Sequence, residues 1–505
     1  MKFFRTSQIR KIDADTINNE PISSIDLMER ASRRLTDAIV KMHGGRSTFF
    51  AIFAGAGNNG GDALAVARML HECGQDVAVW LVASGASLSP DCAINLERLN
   101  AVNVNVEIVN DIFSPPSLPH QTIIIDGLFG SGLSRAVEGL CAEVINYINS
   151  TGLRVISLDI PSGLPGEKHF CSNVRNIVCA HTTLTLQFPK LSFLLPGNEQ
   201  YVGDWQIVDI GLHPQAIEQQ CTNFYFTQKE DIKKLLLPRK KFSHKGDYGR
   251  ALLFAGSLGM AGASVLSARA ALRSGVGLLT LAVPSCNNTI VQAAVPEAMT
   301  LPMCGDEHIS FLPSIVRYCA VGVGPGIGTH EETERLLLKL IEQCKVPMVL
   351  DADALNILSK HHEIFSQLPK NSILTPHVGE FTRMAGEFSD SYDRLMAAID
   401  FACRHKVCVV LKGAYTAVCS PSGDCYFNSS GNPGMATGGS GDVLTGIAVS
   451  LLARGYSVVD AARIAVYIHG LAGDIASAKY GETAMTAGDI VNALPSAWKS
   501  MEDKF

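Results

Sequence analysis

Short apolar segments that alternate with helical patterns constrain the fold of this 505-residue chain more than any other feature. Parallel sheets covered by helices on both faces produce such an alternation, because their strands are buried on both sides. The alternation runs through the first part of the chain, pauses in a polar stretch and then starts again. The sequence predicts strands at 49–54, 77–82, 122–126, 154–159 and 182–188 before the pause, and at 251–256, 278–283, 320–324, 348–353, 372–376 and 407–413 after it.

The polar stretch at 213–223 marks the predicted domain boundary. A chain of this length is expected to form about two to four domains. The repeated alternation favours two α/β domains in tandem, residues 1–222 and 223–505. Two short runs at 416–420 and 424–428 are separated by a Pro-Ser-Gly turn, which predicts a β-hairpin in the second domain.

Composition excludes several classes of protein. The net charge of −6 comes from 42 Lys and Arg against 48 Asp and Glu, without a long basic run, so we expect no nucleic-acid partner. There is no stretch of about 18 apolar residues and no apolar leader, so we expect no membrane span and no secretory signal. The 14 scattered cysteines are typical of a reducing compartment and predict a cytoplasmic protein. Cys403 and Cys408 adjoin an apolar run, so we interpret them as core thiols rather than zinc ligands.

A glycine-rich loop follows the first predicted strand. Residues 55–62 read GAGNNGGD and lead into a helical pattern, which formally matches the G-x-G-x-x-G phosphate loop. A dinucleotide fold of the usual kind also needs an acidic residue at the end of the next strand, but residues 82–85 read VASG. The loop therefore suits a phosphate without the usual NAD-reading geometry, and a glycine turn without a ligand stays open as the alternative.

Two aspartates end the third and fourth predicted strands of the first domain. Asp126 and Asp159 are each followed by a loop that contains glycine, in DGLFGSG and DIPSG. A carboxylate at the end of a buried strand is costly unless it meets a cation, hydrogen-bond donors or substrate. Together with Asn58 and Asn59 they form an oxygen-rich cluster, which suits a hard cation, either monovalent or Mg²⁺.

The motifs GAGNNGGDA, DGLFGSGLSR and LDIPSG resemble the YjeF N-terminal family, the NAD(P)H-hydrate epimerases, over residues of about 10 to 212. The resemblance implies a Rossmann-like three-layer sandwich, with Asp159 as the catalytic acid or base. It departs at Ala63, where the family often has glycine. The implied potassium ligands are Asn59, Asp126 and Ser162. The implied residues that bind hydrated NADH or NADPH are Asn58, Asn59, Gly60, Gly61, Asp62, Gly130, Ser131, Gly132, Leu133, Ser134, Arg135, Ala136 and Asp159.

The second domain contains the strongest single motif, GNPGMATGGSGDVLTG at 431–446. A glycine-rich turn that runs into an apolar helix presents unpaired N–H groups and the positive end of the helix dipole. These features favour an anion hole for a transferred phosphoryl group. Asp442 at the helix start is positioned to take a proton from an attacking hydroxyl. The alternative is that Asp442 only caps the helix.

Four further loops follow strands of the second domain. They contain glycines at 322, 324, 326 and 328, the pair Asp351 and Asp353, the turn with His377 and Glu380, and Lys412. Lys412 lies beside small residues and suits a nucleotide phosphate. Each loop could also be a structural turn, and His377 could be an ordinary hydrogen-bonded loop residue.

This set resembles the YjeF C-terminal family of the ribokinase-like superfamily, the ADP-dependent NAD(P)H-hydrate dehydratases, over residues 244–490. The resemblance implies a ribokinase-like α/β domain that uses ADP as co-substrate and Mg²⁺ as cofactor. It departs at 257–260 and at Val378, which puts the lip of the substrate pocket in doubt. The implied substrate residues are Ala263, Gly326, His377 and Asp442, and the implied nucleotide residues are Lys412, Gly413, Ala414, Tyr415, Thr416 and Gly441.

The two resemblances together imply a repair enzyme. The first domain would interconvert the R and S hydrates of NADH and NADPH, and the second would dehydrate the S form at the expense of ADP. One alternative is a kinase for a vitamin precursor, which shares the glycine-rich anion hole. Another is that the first domain only regulates the second. Domains of this type commonly associate, so we expect a homo-oligomer. Small molecules, NADH-hydrate, NADPH-hydrate and ADP, are the expected partners.

Overall fold

The structure is a computed structural model that describes residues 1–44, 48–83, 85–170, 175–303 and 306–502. Ser84, which belongs to the predicted loop at 82–85, lies outside the described residues. The chain divides into two compact units, and the first comprises Phe3–Thr222. The second unit comprises Asn223–Phe505 together with Met1–Lys2, and a short N-terminal strand, β1 (Lys2–Phe3), lies at one edge of its sheet.

The first unit is built on a sheet of seven strands. These strands are β2 (Phe49–Gly55), β3 (Asp76–Val82), β4 (Val106–Val109), β5 (Ile123–Gly127), β6 (Arg154–Leu158), β7 (Thr182–Leu186) and β8 (Asp204–Val208). Its helices are α1 (Thr6–Asn19), α2 (Ser24–His43), α3 (Asn58–Glu72), α4 (Pro90–Ala101), α5 (Gly139–Ser150), α6 (Glu199–Val202) and α7 (Pro214–Gln219), with a 3₁₀ turn at Leu191–Leu194.

All neighbouring strands of this sheet are parallel, in the order β4-β3-β2-β5-β6-β7-β8. The five predicted strands are confirmed, because each is an apolar run that the helices bury. The sequence did not predict β4 and β8, the two edge strands, in which exposed charged residues interrupt short apolar runs. The strand order reverses between β2 and β5, and ligands bind at such switch points, beyond the carboxyl ends of the strands.

The second unit is built on a larger mixed sheet. Besides β1, its strands are β9 (Phe224–Thr227), β10 (Arg250–Phe254), β11 (Leu278–Val283), β12 (Met299–Pro302), β13 (Ala320–Val323), β14 (Met348–Leu350), β15 (Ile373–Leu374), β16 (Cys408–Leu411), β17 (Ala417–Cys419) and β18 (Cys425–Asn428). Its helices are α8 (Lys229–Lys233), α9 (Ala261–Arg273), α10 (Ser285–Ala294), α11 (Glu331–Gln343), α12 (Asp353–Leu358), α13 (Val378–Ala385), α14 (Ser391–His405), α15 (Ser440–Ala453), α16 (Val458–Tyr480) and α17 (Ala487–Met501). Three 3₁₀ turns lie at Lys245–Tyr248, His362–Gln367 and Pro433–Met435.

The second sheet has the order β1-β9-β18-β17-β16-β15-β14-β13-β10-β11-β12. The predicted hairpin is confirmed as the antiparallel pair β17 and β18, and β16 pairs antiparallel with β17. From β16 to β12 the pairs are parallel, as predicted for the second half. Helix α15 packs against α9 and is almost wholly buried, which explains why its sequence is apolar on every side.

Two observations bear on the expected environment of the protein. Among the described residues, no helix combines the length and apolar character needed to cross a membrane. The twelve described cysteines are all free thiols. Of the cysteines weighed as zinc ligands, Cys408 is fully buried in β16, in agreement with its interpretation as a core thiol.

Candidate active sites

A cavity of about 1040 Å³ opens in the first unit beyond the carboxyl ends of β2, β5 and β6. Helix α3 begins directly after β2, and its first residues reach the cavity. Most of the predicted substrate residues line it, namely Asn58, Asn59, Asp62, Gly130, Ser131, Gly132, Leu133, Ser134, Arg135, Ala136 and Asp159. The helix α1 adds Ile9, Arg10 and Asp13, which the sequence did not predict because no motif precedes them.

Gly60 and Gly61 are explained by packing rather than by the cavity. A Cβ atom at Gly60 would lie 1.7 Å from the carbonyl oxygen of Gly55, so only glycine lets α3 approach β2 this closely. A Cβ atom at Gly61 would lie 2.9 Å from Sδ of Met28 on α2. These two glycines therefore set the position of Asn58, Asn59 and the other residues that face the cavity.

Asp126 ends β5 inside a cluster of oxygen atoms. Its Oδ1 accepts a hydrogen bond from Oγ of Ser162 at 2.5 Å, and its Oδ2 accepts from the Ser162 amide at 2.8 Å and from Oγ of Ser157 at 2.7 Å. Burial raises the pKa of Asp126, and the hydrogen bonds from the two serines act in the opposite direction. The Asn59 amide donates to the carbonyls of Phe129 and Leu158, which brings Asn59 to the same cluster.

The donors around Asp126 are neutral hydroxyl and amide groups. A fully buried carboxylate that is bonded only by neutral groups lacks charge compensation, and a cation bound beside it would supply that compensation. Oxygen ligands with a single carboxylate suit a monovalent hard cation better than a divalent one. The donor set of Asn59, Asp126 and Ser162 therefore fits potassium.

Asp159 follows β6 in a strained backbone conformation. Its φ is +62°, a region that non-glycine residues rarely adopt and that often marks functional sites. Its Oδ1 lies 2.7 Å from Nζ of Lys190, which the sequence analysis missed because Lys190 belongs to no glycine motif. The Lys190 side chain is only 2% exposed, whereas that of Asp159 is 11% exposed and lines the cavity. This pair therefore turns its carboxylate toward the ligand.

Two more carboxyl groups face the same cavity. Burial raises the pKa of Asp62 to about 8, and the charges of Asp159 and Asp13 raise it further, against a hydrogen bond from Ser32. Burial also raises the pKa of Asp13 to about 6, helped by Asp159 and opposed by Lys190. Perturbed carboxyl groups that share a cavity are a mark of acid–base sites.

In the second unit, Asp442 lies in the first turn of α15, directly after the glycine-rich turn. Gly439 precedes the helix with a φ of +87°, a conformation that glycine adopts without strain. Burial raises the pKa of Asp442 to about 7; the charge of Asp351 adds to this rise and that of Lys412 opposes it. A carboxyl group that titrates near neutral pH is suited to act as a general base.

Lys412 and Asp351 form the centre of this second site. Nζ of Lys412 lies 2.9 Å from Oδ1 of Asp351 and 3.7 Å from Oε2 of Glu380. Oγ1 of Thr445 on α15 donates to the other Asp351 oxygen at 2.7 Å. The Lys412 side chain is 23% exposed and that of Asp351 only 2%. The lysine is therefore the more exposed partner of this pair, and Gly441 lies against it, since a Cβ there would be 3.6 Å from Nζ.

The remaining predicted residues of the second domain fall into three places. Nδ1 of His377 accepts hydrogen bonds from the amides of Gly379 and Glu380, so this histidine caps α13. Its other ring nitrogen lies 3.4 Å from the Glu380 carboxylate. Gly326 and Ala263 adjoin each other, because a Cβ at Gly326 would lie 3.0 Å from that of Ala263. A turn is formed by Lys412, Gly413, Ala414, Tyr415 and Thr416. Two hydrogen bonds join the Thr416 hydroxyl to the backbone of Gly413.

His469 on α16 supports the glycine-rich turn, and the sequence analysis assigned it no role. Its Nε2 lies 3.2 Å from Oγ of Ser440, the first residue of α15. Burial, with the charge of Lys412, lowers the pKa of His469 to about 4, so the ring is neutral at ordinary pH. A lone histidine within a long helix gives no sequence signal, which is why it was missed.

One group of side chains outside both sites has the composition of a metal site. Atoms of His308, His330 and Glu332 lie within 4.8 Å of one another. His330 caps α11 by accepting from the Glu332 amide, and His308 pairs with the Glu332 carboxylate at 2.9 Å. These contacts account for the cluster, and its imidazole groups are not the ligands that Mg²⁺ prefers.

Known proteins match both units. Residues 24–192 match the family described as YjeF-related protein N-terminus, and residues 251–496 match the family described as NAD(P)H-hydrate dehydratase. A bifunctional NAD(P)H-hydrate repair enzyme of Thermofilum pendens is 35% identical, over 100% of this chain and 98% of that protein. One of Moorella thermoacetica is 33% identical with the same coverage. The crystal structure of a ribokinase-like superfamily protein from Enterococcus faecalis V583 is 26% identical, has a TM-score of 0.50 and covers 56% of this chain and 98% of its own.

Proposed function

The chain belongs to the family of bifunctional NAD(P)H-hydrate repair enzymes, and we propose that each unit carries one of the two reactions. The resemblance found in the motifs of each half is thereby confirmed. The first unit epimerises the R and S hydrates of NADH and NADPH. The second dehydrates the S hydrate at the expense of ADP and gives NAD(P)H, AMP and phosphate.

The observation that carries this proposal is the opposite orientation of two ion pairs. Asp159 faces the first cavity while Lys190 is buried behind it, which suits proton transfer. In the second unit Lys412 is the more exposed partner and Asp351 the buried one, which suits a phosphate. A carboxylate in the first site and a cation in the second correspond to an epimerase and a phosphoryl-transfer enzyme, respectively.

We propose that the first cavity holds the hydrated dinucleotide. Its volume of about 1040 Å³ is at the upper end of ordinary ligand pockets, as a dinucleotide requires. The loop 130–136 and the start of α3 supply amide groups and the Arg135 side chain for the substrate. Asp159 acts at the hydrated ring carbon as acid or base. Potassium, held by Asn59, Asp126 and Ser162, would supply a fixed positive charge beside the loop after β5.

In the second unit we propose Asp442 as the base that accepts the proton of the substrate hydroxyl. The oxygen then attacks the terminal phosphorus of ADP, the bond to the bridging oxygen breaks, and AMP leaves with that electron pair. Phosphate then leaves with the electrons of the C–O bond, the adjacent ring carbon loses a proton to water, and the electrons of that C–H bond form the double bond. Conversion of hydroxide into phosphate makes this elimination easy, which is the reason for consuming a nucleotide.

We propose that Lys412, Gly413, Ala414, Tyr415, Thr416 and Gly441 bind the nucleotide, and that Ala263, Gly326 and His377 contact the hydrate. Three carboxyl groups, Asp351, Glu380 and Asp442, act on the one ammonium group of Lys412 in the described part of this site, which leaves negative charge for a divalent ion. Glu380 would hold Mg²⁺ together with phosphate oxygens. When bound, Mg²⁺ neutralises the charge that develops on the phosphates.

A kinase for a vitamin precursor is the alternative from another class of function. It would use the same anion hole and the same base, but it would release a stable phosphorylated product and no inorganic phosphate. The first unit argues against a kinase, since phosphorylation of a vitamin precursor does not require a second cavity lined by Asp159 and Asp62. The other alternative, a first unit that only regulates the second, predicts that substitution of Asp159 leaves the epimers' interconversion unchanged.

The test uses the full chain with a mixture of both NADH-hydrate epimers, ADP, Mg²⁺ and K⁺. Complete recovery of the near-ultraviolet absorbance of NADH, with one inorganic phosphate per NADH, is the expected result. Recovery that stops at the S fraction would refute the epimerase. Recovery with ATP alone would change only the nucleotide, and no recovery with either nucleotide would favour the kinase.

We further propose that the protein works in the cytoplasm as a homo-oligomer. Its free thiols, several of them exposed, fit a reducing compartment. Light scattering coupled to size-exclusion chromatography tests the assembly, and a mass of 54.1 kDa, that of one chain, would refute it.

A further inference from the structure

Aspartates from three different elements line the cavity of the first unit. Asp13 comes from α1, Asp62 from α3 and Asp159 from the end of β6, and all three line the cavity. Lys190 is bonded to Asp159 at 2.7 Å. Arg10, Arg135 and Glu138 also line the cavity, so the charge state of each carboxyl group follows from its own neighbours rather than from a count of charges.

Asp62 is the carboxyl group whose surroundings favour the protonated form. It is 7% exposed, and its Oδ1 accepts a hydrogen bond from the Ser32 hydroxyl at 3.1 Å. Among the described residues, the charged or titratable groups that act electrostatically on it are Asp159, Asp13, Asp91 and Cys92. None of these groups is a cation. With burial they raise the pKa of Asp62 to about 8, so the side chain is an acid at neutral pH.

We propose that Asp62 donates the proton to the leaving hydroxyl of the hydrate and that Asp159 accepts the proton of the water that adds to the other face. This inference rests on the epimerase function proposed above and names a second catalytic residue for it. An acid and a base with different preferred charge states on one cavity form the pair that reversible hydration requires.

The proposed step balances without any other reactant. The hydroxyl of the hydrate is on the ring carbon next to nitrogen, so the nitrogen lone pair forms a C=N bond as the C–O bond breaks. The C–O electron pair stays with the oxygen, which takes the proton of Asp62 and leaves as water. A water molecule then adds to the opposite face, and its proton passes to the Asp159 carboxylate. The reverse direction uses the same two residues with exchanged roles, and solvent resets their protons between turnovers.

Asp13 is less suitable than Asp62 as the proton donor. Its pKa, raised to about 6, leaves it mainly ionised at neutral pH, and Lys190 further favours that form. Its negative charge adds to that of Asp159 in keeping the proton on Asp62. Asp13 therefore acts on the reaction through Asp62, by favouring its protonated form.

The first test measures the rate of epimer interconversion in Asp62→Asn, with K⁺ present and nucleotide omitted. We expect a loss of about 10²–10⁴-fold, the usual contribution of a general acid, and an unchanged dehydratase rate on the S hydrate. The matched control is Asp91→Asn, because Asp91 also faces Asp62 but bonds to Ser24 at 2.5 Å and is not among the cavity residues. Asp91→Asn should epimerise at nearly the rate of the unchanged chain.

The second test is the pH profile, which a purely structural role would not move. Epimerisation by the unchanged chain should fall as pH rises through about 8, where Asp62 loses its proton. In Ser32→Ala the fall should shift to higher pH, because the hydrogen bond that stabilises the Asp62 carboxylate is lost. An Asp62→Asn variant as active as the unchanged chain, or a fall that Ser32→Ala does not move, would overturn the inference. If the unchanged chain itself does not epimerise, the proposed function fails instead.

Discussion

The two units place the same pair of side chains, an aspartate after a parallel strand and a lysine, in opposite orientations. In the first unit the lysine is 2% exposed and the aspartate 11%; in the second the lysine is 23% exposed and the aspartate 2%. Each pair also lies beside a strained backbone, at Asp159 with a φ of +62° and at Ala352, next to Asp351, with a φ of +48°. Under the proposed function, the type of reaction follows which partner of the ion pair is the more exposed, since both sheets supply similar strand ends.

The largest expected effect is the loss of the dehydratase reaction, but not of epimerisation, when Asp442 is replaced. In Asp442→Asn the dehydratase rate should fall by about 10²–10⁴-fold, because the group proposed to take the hydroxyl proton is lost. Interconversion of the epimers, followed by chromatography without nucleotide, should stay unchanged. Loss of both activities would mean that the two sites are not independent.

A second prediction exchanges the presented cation for a neutral side chain of similar length. Lys412→Met should lower the dehydratase rate by about 10²-fold and raise the KM for ADP, because an electrostatic contact to the phosphates is lost. Lys190→Met should slow epimerisation, since the buried partner of Asp159 is gone, and leave the KM for ADP unchanged. Steady-state kinetics of both variants measure this, and an ADP effect in Lys190→Met would contradict the comparison.

The glycines of the two sites should also respond differently. Gly60→Ala should lower the free energy of unfolding of the first unit by about 1–3 kcal/mol, because the new Cβ meets the Gly55 carbonyl at 1.7 Å. Gly57→Ala is the matched control, since a Cβ there meets nothing within 4 Å. Gly441→Ala, whose Cβ would be 3.5 Å from Oδ2 of Asp351, should keep stability and lose dehydratase activity. Denaturant titration and activity assays distinguish the three.

The smallest expected effect is a pH dependence. Asp442 acts as a base only when ionised, and its pKa is raised to about 7 by burial and by Asp351. The dehydratase rate should therefore rise about tenfold per pH unit below that value and level off above it. Epimerisation, which needs protonated Asp62, should show the opposite slope above about 8. A dehydratase rate that does not change with pH below about 7 would contradict the assignment of Asp442 as the base.

The sequence predicted what short motifs after apolar strands encode. Asp126, Asp159 and Asp442 were predicted because strand ends and glycine turns are local features, and the sheets confirm the strand predictions. Asp13, which lines the cavity, and Lys190, which bonds to Asp159, were not predicted because they lie in segments without a motif. Thr445 and His469 were missed for a related reason: each is a polar residue on an otherwise apolar helix, and only tertiary packing brings it to Asp351 or Ser440.

Packing also changed the meaning of some predicted residues. Gly60 belongs to a phosphate-loop pattern, but its lack of a side chain is what lets α3 approach β2. His377 was weighed as a loop residue or a site residue, and it is the cap of α13 beside Glu380. Sequence spacing cannot separate these roles, because the same residue type satisfies both.

The most direct test of the opposed ion pairs is a time course of both epimers without nucleotide, in the unchanged chain, in Asp159→Asn and in Asp442→Asn. We expect the unchanged chain and Asp442→Asn to interconvert the epimers equally fast without forming NADH. We expect Asp159→Asn to interconvert them only at the spontaneous rate. Interconversion that needs ADP, or that disappears in Asp442→Asn while persisting in Asp159→Asn, would contradict it.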